Sequence, residues 1–302
     1  METYRQSRSI SVLITVIAYA IAVLAAVYTF RYFGTYSLVA KIALADLAGT
    51  VTIFIFSMLL NNSSMYDPYW SVKPVIIAAF LFSMAPAGEW LIFRWLLFFL
   101  IFLYGLRLTT NFYRGWQGLI HEDWRYSDFR EQFPGFYWII SLLGIHLFPT
   151  LMVFLGCLPM IPAFTATGLE FPLLAFAGLI VLLGAVLLAF IADEQLRKIK
   201  KVPSGNRKMT GLWRVSRHPN YLGEILTWWG IFLAGLSFGM EFLWTGIGAV
   251  AITLLFVFIS IPLMEKHLLK KNKDYEKYRA EVPALLPLRY KSRKRKKINL
   301  DE

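Results

Sequence analysis

The chain has 302 residues, of which 57% are hydrophobic, and its formal net charge is +12. With a mean hydropathy of +0.55, it is too apolar to bury its hydrophobic surface in one soluble core, so a soluble globular protein is excluded. The single cysteine, Cys157, excludes an intramolecular disulfide and a zinc cluster of thiolates.

Apolar stretches long enough to matter in a bilayer follow one another along the chain. They lie at residues 11–30, 37–60, 72–88, 91–108, 136–156, 171–192, 225–240 and 242–262. The first has the roughly 20 residues of a bilayer crossing and is longer than a signal-peptide core, so it is predicted to be retained. The third and seventh are shorter, and either could be re-entrant. The sequence therefore predicts an all-α, polytopic integral membrane protein with six to eight transmembrane helices.

The distribution of Lys and Arg predicts which loops face the cytosol. Eight crossings would put on one side residues 1–10, 61–73, 107–134, 193–224 and 265–302. That side holds 28 of the 31 Lys and Arg residues, all except Arg31, Lys41 and Arg94. By the positive-inside rule it is cytosolic, with both termini, in a bacterial inner membrane or an endoplasmic reticulum. The charge then needs no nucleic-acid partner, and the basic segment 291–297 is expected to face lipid headgroups.

The segment DEQLRKIKKVPSGNRKMTGLWRVSRHPNYLGEILTWWG, residues 193–230, is the most informative stretch. Arg214 and Arg217 can form forked hydrogen bonds to phosphate, and lysines and Arg207 add further charge. Pro219 biases His218 toward an extended backbone, and Asn220 is expected to cap the next helix. A helix N-terminus beside an arginine is an anion site, so these residue types suit an anionic nucleotide.

The alternative is that these cations only flank membrane spans, which is the preferred interpretation for the scattered lysines. It does not explain the His-Pro-Asn-Tyr turn. Nor does it explain Glu224, because a carboxylate at the membrane edge of an apolar helix is costly unless it is paired or hydrogen-bonded.

Other polar residues within or near the spans point to simpler roles. The four histidines show no i, i+4 pair, so no metal is predicted. His146 is expected to be a hydrogen-bonded packing residue. The glycines of GIGAVA (246–251) are expected to serve helix packing. Asp46 and Lys41 either line a cavity or lie near the opposite surface.

The segment GLWRVSRHPNYLGE (211–224) resembles the signature near the C-terminus of the membrane steroid and sterol reductases, which include the steroid 5α-reductases and the sterol C14-reductases. The resemblance runs from Asp193 through KDYEKYRAEVPALLPL (273–288). Upstream, YDPYW (66–70), YGLRL (104–108) and HEDWRYSDFR (121–130) resemble the poorly characterised branch of that superfamily.

This resemblance implies an all-helical membrane enzyme that binds NADPH in a cytosol-open cavity and reduces an activated carbon–carbon double bond of a lipophilic, steroid- or sterol-like substrate. Within a single membrane domain, residues 1–192 would form the substrate cavity and residues 193–302 the cofactor-binding part. Asp193, with Arg197 or Lys200, would hold the adenosine end. The pyrophosphate and nicotinamide portions would be lined by Trp213, Arg217, His218, Asn220 and Tyr221, and the site closed by Glu224 and Glu265.

The proton-donating tyrosine of these reductases matches Tyr104, with Arg107 shortly after it and Asp67 as the nearby acidic residue. Hydride transfer to an enone leaves charge on the carbonyl oxygen, and a tyrosine with a carboxylate partner can donate a hydrogen bond or proton there. The simpler interpretations are an interfacial aromatic belt for Tyr104 and an Asp-Pro turn for Asp67.

Two other functions stay open. Isoprenylcysteine carboxyl methyltransferases resemble the chain in the same Arg-His-Pro-x-Tyr-x-Gly turn, which implies an S-adenosylmethionine-dependent membrane methyltransferase. The reductase is favoured by Asn220, by the DEQLRKIK segment and by the many cations, because S-adenosylmethionine carries no phosphate. The third possibility is a lipid- or sterol-binding protein without turnover, which an absence of nucleotide binding would support.

Overall fold

The structure, a computed structural model, describes residues 7–88, 90–203, 208–271 and 274–286. The predicted headgroup-facing segment 291–297, Arg207 and the last residues of the 273–288 motif lie outside this part of the chain. The helices are α1 (Arg8–Tyr32), α2 (Leu38–Leu59), α3 (Tyr69–Ser83), α4 (Leu91–Gly115), α5 (Trp124–Gln132), α6 (Tyr137–Cys157), α7 (Met160–Thr165), α8 (Pro172–Lys200), α9 (Pro219–Leu236), α10 (Met240–Lys271) and α11 (Asp274–Glu281).

Helices make up all of the regular structure within these ranges, and no strand occurs there. Six of the described helices are long and apolar enough to cross a membrane, namely α1, α2, α4, α6, α8 and α10. The prediction of an all-α, polytopic integral membrane protein is therefore confirmed. The two predicted spans that were short correspond to α3, with 15 residues, and α9, with 18.

One compact unit consists of residues 1–183 and 227–252. At one end of it, the start of α1 meets the chain after α4, because the amide of Leu119 donates to Ser11 Oγ at 3.1 Å. Asn62, which precedes α3, donates to the carbonyl oxygen of Leu119 at 2.9 Å. The amide of Ser63 donates to Glu122 Oε1 at 2.8 Å. Three loops that the charge distribution assigns to the cytosol therefore lie together.

The opposite end of this unit is organised by Arg94, one of the three cations outside the basic loops. Its buried guanidinium donates to the carbonyl oxygens of Pro86, Ala163 and Ala166 at 3.2, 3.3 and 2.6 Å. Helix α3 thus connects the two ends of the unit, although its 15 residues rise only about 22 Å. This length is short for a crossing, and α3 is not among the six helices that are long and apolar enough to span a membrane.

Lys73 does not lie in the loop to which the eight-span threading assigned it. It lies inside α3, and its Nζ contacts Asp46 Oδ2 on α2 at 3.0 Å, with both side chains buried. A buried carboxylate of a membrane helix stabilises an ammonium group that would otherwise be costly at this depth. The predicted third span, 72–88, already overlaps the loop 61–73 at this lysine.

Two predicted packing roles in this unit are confirmed. His146 has a hydrogen-bond partner on each ring nitrogen, Ser57 Oγ at 3.1 Å and the carbonyl oxygen of Ser141 at 2.8 Å. Gly248 of the GIGAVA segment lies so close to Leu155 that a Cβ atom would come within 2.1 Å of its carbonyl oxygen. The absence of a side chain there lets α10 approach α6 closely.

The second compact unit consists of residues 184–226 and 253–302. Its core includes Trp213, whose indole Nε1 donates to the carbonyl oxygen of Ala192 at 2.9 Å and whose ring packs with Ile199. The hydroxyl of Tyr278 on α11 donates to the carbonyl oxygen of Trp213 at 2.5 Å. Residues 227–252, which the sequence analysis grouped with the C-terminal part, belong to the first unit.

Candidate functional site

All ten predicted cofactor-binding residues lie in the second unit, although they come from four separate segments of the sequence. These segments are the end of α8, the 3-10 turn Gly211–Arg214 with the loop after it, the start of α9, and the last part of α10. The three predicted catalytic residues, Tyr104, Asp67 and Arg107, lie in the first unit.

Glu265 joins the Arg-His-Pro turn to α10. Its Oε1 accepts from Arg217 Nε at 2.8 Å and from His218 Nε2 at 3.0 Å. Its Oε2 lies 3.0 Å from Nε of Arg279 on α11. Since an ionised carboxylate only accepts, the proton of the His218 ring is on Nε2. One buried carboxylate thus orients two side chains that are more than forty residues away in the sequence.

The chain after α11 also runs along this turn. Its carbonyl oxygens at Pro283 and Ala284 accept from the amides of Arg217 and His218 at 2.9 and 3.0 Å. The Arg217 guanidinium donates through Nη1 to the carbonyl oxygens of Arg279, at 2.8 Å, and Val282. Arg217 therefore contributes to the folding of the site as well as to its charge, a role that the sequence did not indicate.

The His218 ring stacks on Tyr221, with the ring centroids 5.2 Å apart and the planes 15° from parallel. On its other side Tyr221 contacts Phe256 of α10 at 5.0 Å. Burial lowers the pKa of His218, although the hydrogen bond to Glu265 acts in the opposite direction. At neutral pH the ring is therefore neutral, and it forms a flat aromatic surface together with Tyr221.

Asn220 was expected to cap α9, but the helix already begins at Pro219. Proline is favoured at the first helical position because that position makes no use of a backbone N–H. The cap position therefore falls on His218, and Asn220 is the second residue of the helix. No hydrogen-bond donor among the described residues reaches its buried Oδ1. This oxygen can accept a hydrogen bond from a ligand.

The end of α8 presents a polar face. Asp193, Arg197 and Lys200 are spaced by four and three residues, so they share one side of the helix. Arg197 also donates to Glu194 at 2.6 Å, and each of these two side chains is 33% exposed. Charged groups that stay accessible at a helix end can bind a phosphate or a ribose.

Tyr104 is fully buried, so it does not belong to a lipid-facing aromatic belt. Its ring meets Trp228 of α9 edge to face, with the centroids 5.9 Å apart. The guanidinium of Arg107 lies 6.0 Å from the centroid of the Tyr104 ring. The two residues are therefore neighbours, as the YGLRL segment suggested.

Asp67 accepts a hydrogen bond of 2.5 Å from the hydroxyl of Tyr126 on α5. Burial raises the pKa of Asp67 to about 7, while the nearby Arg125 acts to lower it. The pKa of Tyr126 is raised well above its ordinary value, mainly by burial and then by the negative charge of Asp67. Sequence reasoning missed Tyr126, although it lies in the HEDWRYSDFR segment that carried part of the resemblance.

The six long apolar helices define a polytopic membrane protein. The chain belongs to the family described as "Protein of unknown function (DUF1295)", whose model matches residues 53–282. It is similar to an uncharacterized protein of Schizosaccharomyces pombe, to which it is 28% identical over 285 residues, with 85% of this chain and 81% of that protein covered. No solved structure matches the chain.

Proposed function

We propose that this protein is a membrane reductase that transfers hydride from NADPH to an activated carbon–carbon double bond of a lipophilic, steroid- or sterol-like substrate. The observation that carries the proposal is the assembly of Arg217, His218 and Glu265 in one unit with the polar face of α8. The proposal keeps both termini and the basic loops in the cytosol, where NADPH is available, in either a bacterial inner membrane or an endoplasmic reticulum.

The residues of the second unit fit a dinucleotide. Arg197 and Lys200 supply cations for the 2′-phosphate, with Asp193 beside them to accept from a ribose hydroxyl. Trp213, Arg217, His218 and Tyr221 are suited to the pyrophosphate and the nicotinamide, and Glu224 and Glu265 close the site. The buried Oδ1 of Asn220 suits an amide N–H donor such as a carboxamide. NADPH, when bound, supplies the hydride.

The first unit holds two tyrosines whose hydroxyl group could stabilise the negative charge that forms on the carbonyl oxygen of the substrate. Tyr104, with Arg107 beside its ring, is the one that the resemblance implies. Tyr126, hydrogen-bonded to Asp67, is the second. Either hydroxyl could donate a hydrogen bond or a proton to the carbonyl oxygen of an enone as negative charge forms there.

Cofactor binding tests the proposal most directly. Calorimetry on the detergent-purified protein should give binding of NADPH and weaker binding of NADH. A Lys200→Gln variant should bind NADPH about tenfold more weakly, because it loses one charge-assisted contact to phosphate. Lys198→Gln is the matched control, since Lys198 is exposed on the same helix but outside the polar face.

An Arg217→Ala variant provides a second test and should abolish NADPH binding. The melting temperature of the variant is measured as well, to detect any loss of folding. Binding of S-adenosylmethionine alone would overturn the reductase in favour of methyl transfer. Absence of binding for all three compounds would also reject it and would support a lipid-binding protein without turnover.

A further inference from the structure

A cavity of about 400 Å³ lies within the first unit, between α1, α2 and α3. Most of its wall is hydrocarbon, contributed by alanine, valine, isoleucine and phenylalanine side chains. The polar side chains on the wall are those of Arg31, Asp46, Tyr69 and Lys73. A volume of this size, a mainly apolar wall and a few polar groups are the features of a site for one small molecule.

Two of these polar residues, Asp46 and Lys73, form a buried ion pair. Lys73 Nζ donates to Asp46 Oδ2 at 3.0 Å and to the carbonyl oxygen of Thr150 at 3.1 Å. The other carboxylate oxygen, Asp46 Oδ1, is buried and receives no hydrogen bond from the described part of the chain. Asp46 as a whole is only 6% exposed. An acceptor left without a donor in an apolar environment costs free energy that a ligand with a donor can recover.

The charge balance of the pair selects the kind of donor. Asp46 and Lys73 neutralise each other, and Arg31, the other charged residue on the wall, is exposed at the end of α1. Beside Oδ1, an anionic ligand group would meet the like charge of the carboxylate, and a cationic group would meet the like charge of Lys73. An uncharged hydroxyl can donate to Oδ1 without disturbing the pair. We propose that this cavity binds a lipid alcohol, with its hydroxyl donating to Asp46 Oδ1 and its hydrocarbon body against residues such as Ala26, Ile42 and Phe80.

The cavity lies within residues 1–192, which the resemblance assigns to a substrate cavity, but the binding of an alcohol here does not require the proposed reductase. None of its residues is assigned above to the cofactor or to proton donation, and its occupancy can be measured without NADPH. Failure of nucleotide binding would leave this proposal standing, and failure of alcohol binding would leave the reductase standing.

The test uses tritiated 1-dodecanol and the purified protein in phospholipid nanodiscs, with empty nanodiscs as the background for partition into lipid. Unlabelled 1-dodecanol, dodecane and dodecanoate compete for the bound label. We expect one saturable alcohol site per chain, and dodecane and dodecanoate should each compete about tenfold more weakly, because neither donates a hydrogen bond to a carboxylate. Equal competition by dodecane would overturn the role of Asp46, and absence of saturable binding would overturn the site.

Two variants locate the binding. Ala26→Trp places a large ring in the cavity and should abolish saturable binding, whereas Leu24→Trp, on the same helix at a position 68% exposed, should not. The double variant Asp46→Leu/Lys73→Met removes both charges together and should reduce alcohol affinity to that of dodecane. Unchanged alcohol binding in Ala26→Trp would overturn the assignment to this cavity, even if the double variant did not fold.

Discussion

At the residue scale, Glu265 links three parts of the second unit, namely the Arg-His-Pro turn, α10 and α11. It accepts from Arg217 and His218 and pairs with Arg279, and it is only 6% exposed. Removing one partner of a buried ion pair leaves the others charged and poorly solvated. The consequence is larger than for a surface pair, because water cannot take the place of the missing carboxylate.

We therefore expect Glu265→Ala to lower the stability of the protein by about 3 kcal/mol. The matched control is Glu194→Ala, which removes a half-exposed i, i+3 pair with Arg197 and should cost less than about 1 kcal/mol. Thermal unfolding followed by tryptophan fluorescence measures both variants. Equal losses would show that Glu265 contributes no more than a surface charge.

The raised pKa of Asp67 makes stability depend on pH. The folded-state pKa is about 7, above that of an unfolded aspartate. Between about pH 4 and about pH 7 the folded state therefore holds the proton more tightly, so stability decreases as the pH rises through this range and is then constant. Asp67→Asn removes this dependence. As the pH rises from about 5 to about 8, the melting temperature of the variant should therefore increase relative to that of the wild type. A difference in melting temperature that did not change with pH would contradict the raised pKa of Asp67.

Single substitutions can decide between the two tyrosines. If Tyr126 is the group that stabilises the oxyanion, Tyr126→Phe should lower turnover of a 4-ene-3-keto steroid by about a hundredfold or more and leave NADPH affinity unchanged. Tyr104→Phe should then have little effect. The reverse result would assign the role to Tyr104. If neither variant slowed turnover, proton donation by either residue would be ruled out.

At the scale of elements, the Arg-His-Pro turn is followed by a close helix crossing in the second unit. A Cβ atom on Gly223 of α9 would lie 2.7 Å from Cβ of Ala189 and 2.9 Å from the carbonyl oxygen of Ala185, both on α8. The glycine of the motif therefore has a packing role, which is separate from any contact with a cofactor.

Gly223→Ala should destabilise the protein by about 1–3 kcal/mol, because backbone on α8 must move to admit the methyl group. Gly184→Ala is a control on α8 itself, since a Cβ there meets nothing within 4 Å. That change should be neutral or stabilising by up to about 1 kcal/mol, as expected from helix propensity. Unfolding temperatures of the two variants provide the comparison, and an equal response would contradict the close crossing.

The helices themselves could be predicted well from the sequence, because an apolar run of membrane length has few alternatives to a helix. The residues at which the helices end could not be predicted in this way. Helix α8 continues from residue 192, where the hydropathy falls, to Lys200, and α4 continues past residue 108 to Gly115. Backbone hydrogen bonds propagate a helix into polar sequence, and no hydropathy window detects that.

The site could be predicted only in part. Local motifs identified the Arg-His-Pro turn and, by resemblance, Glu265. The Asp67–Tyr126 hydrogen bond joins residues 59 apart, and the Asp46–Lys73 pair joins residues 27 apart on different helices. Such pairs depend on how helices pack against each other, and a single sequence without that packing does not specify which charged groups meet.

At the scale of the whole molecule, the lopsided distribution of Lys and Arg predicts how the protein is oriented in the membrane. Loops of the first unit that carry these residues lie together at one end, as the hydrogen bonds of Ser11, Asn62 and Ser63 demonstrate. The positive-inside rule predicts that this end is cytosolic. The orientation itself is a prediction that chemical labelling can test.

Cysteine labelling can use a Cys157→Ser background, since Cys157 is the only cysteine in the chain. Asp128→Cys, at an exposed position of α5, should react with a membrane-impermeant maleimide only after cells are permeabilised. Tyr36→Cys, in the exposed loop between α1 and α2, should react in intact bacterial cells or, for an endoplasmic reticulum protein, only after sealed microsomes are permeabilised. The opposite pattern would invert the predicted orientation.

The chain after α11 has a practical importance for handling the protein. Backbone carbonyl groups at Val282, Pro283 and Ala284 are the acceptors for Arg217 and His218, so this short segment is built into the fold of the second unit. A shortened expression clone that stopped at Glu281 would leave the Arg-His-Pro turn without these acceptors. Purification handles should therefore be placed after this segment and never replace it, and a protease that cuts within residues 282–284 should lower the melting temperature of the protein without removing a single transmembrane helix.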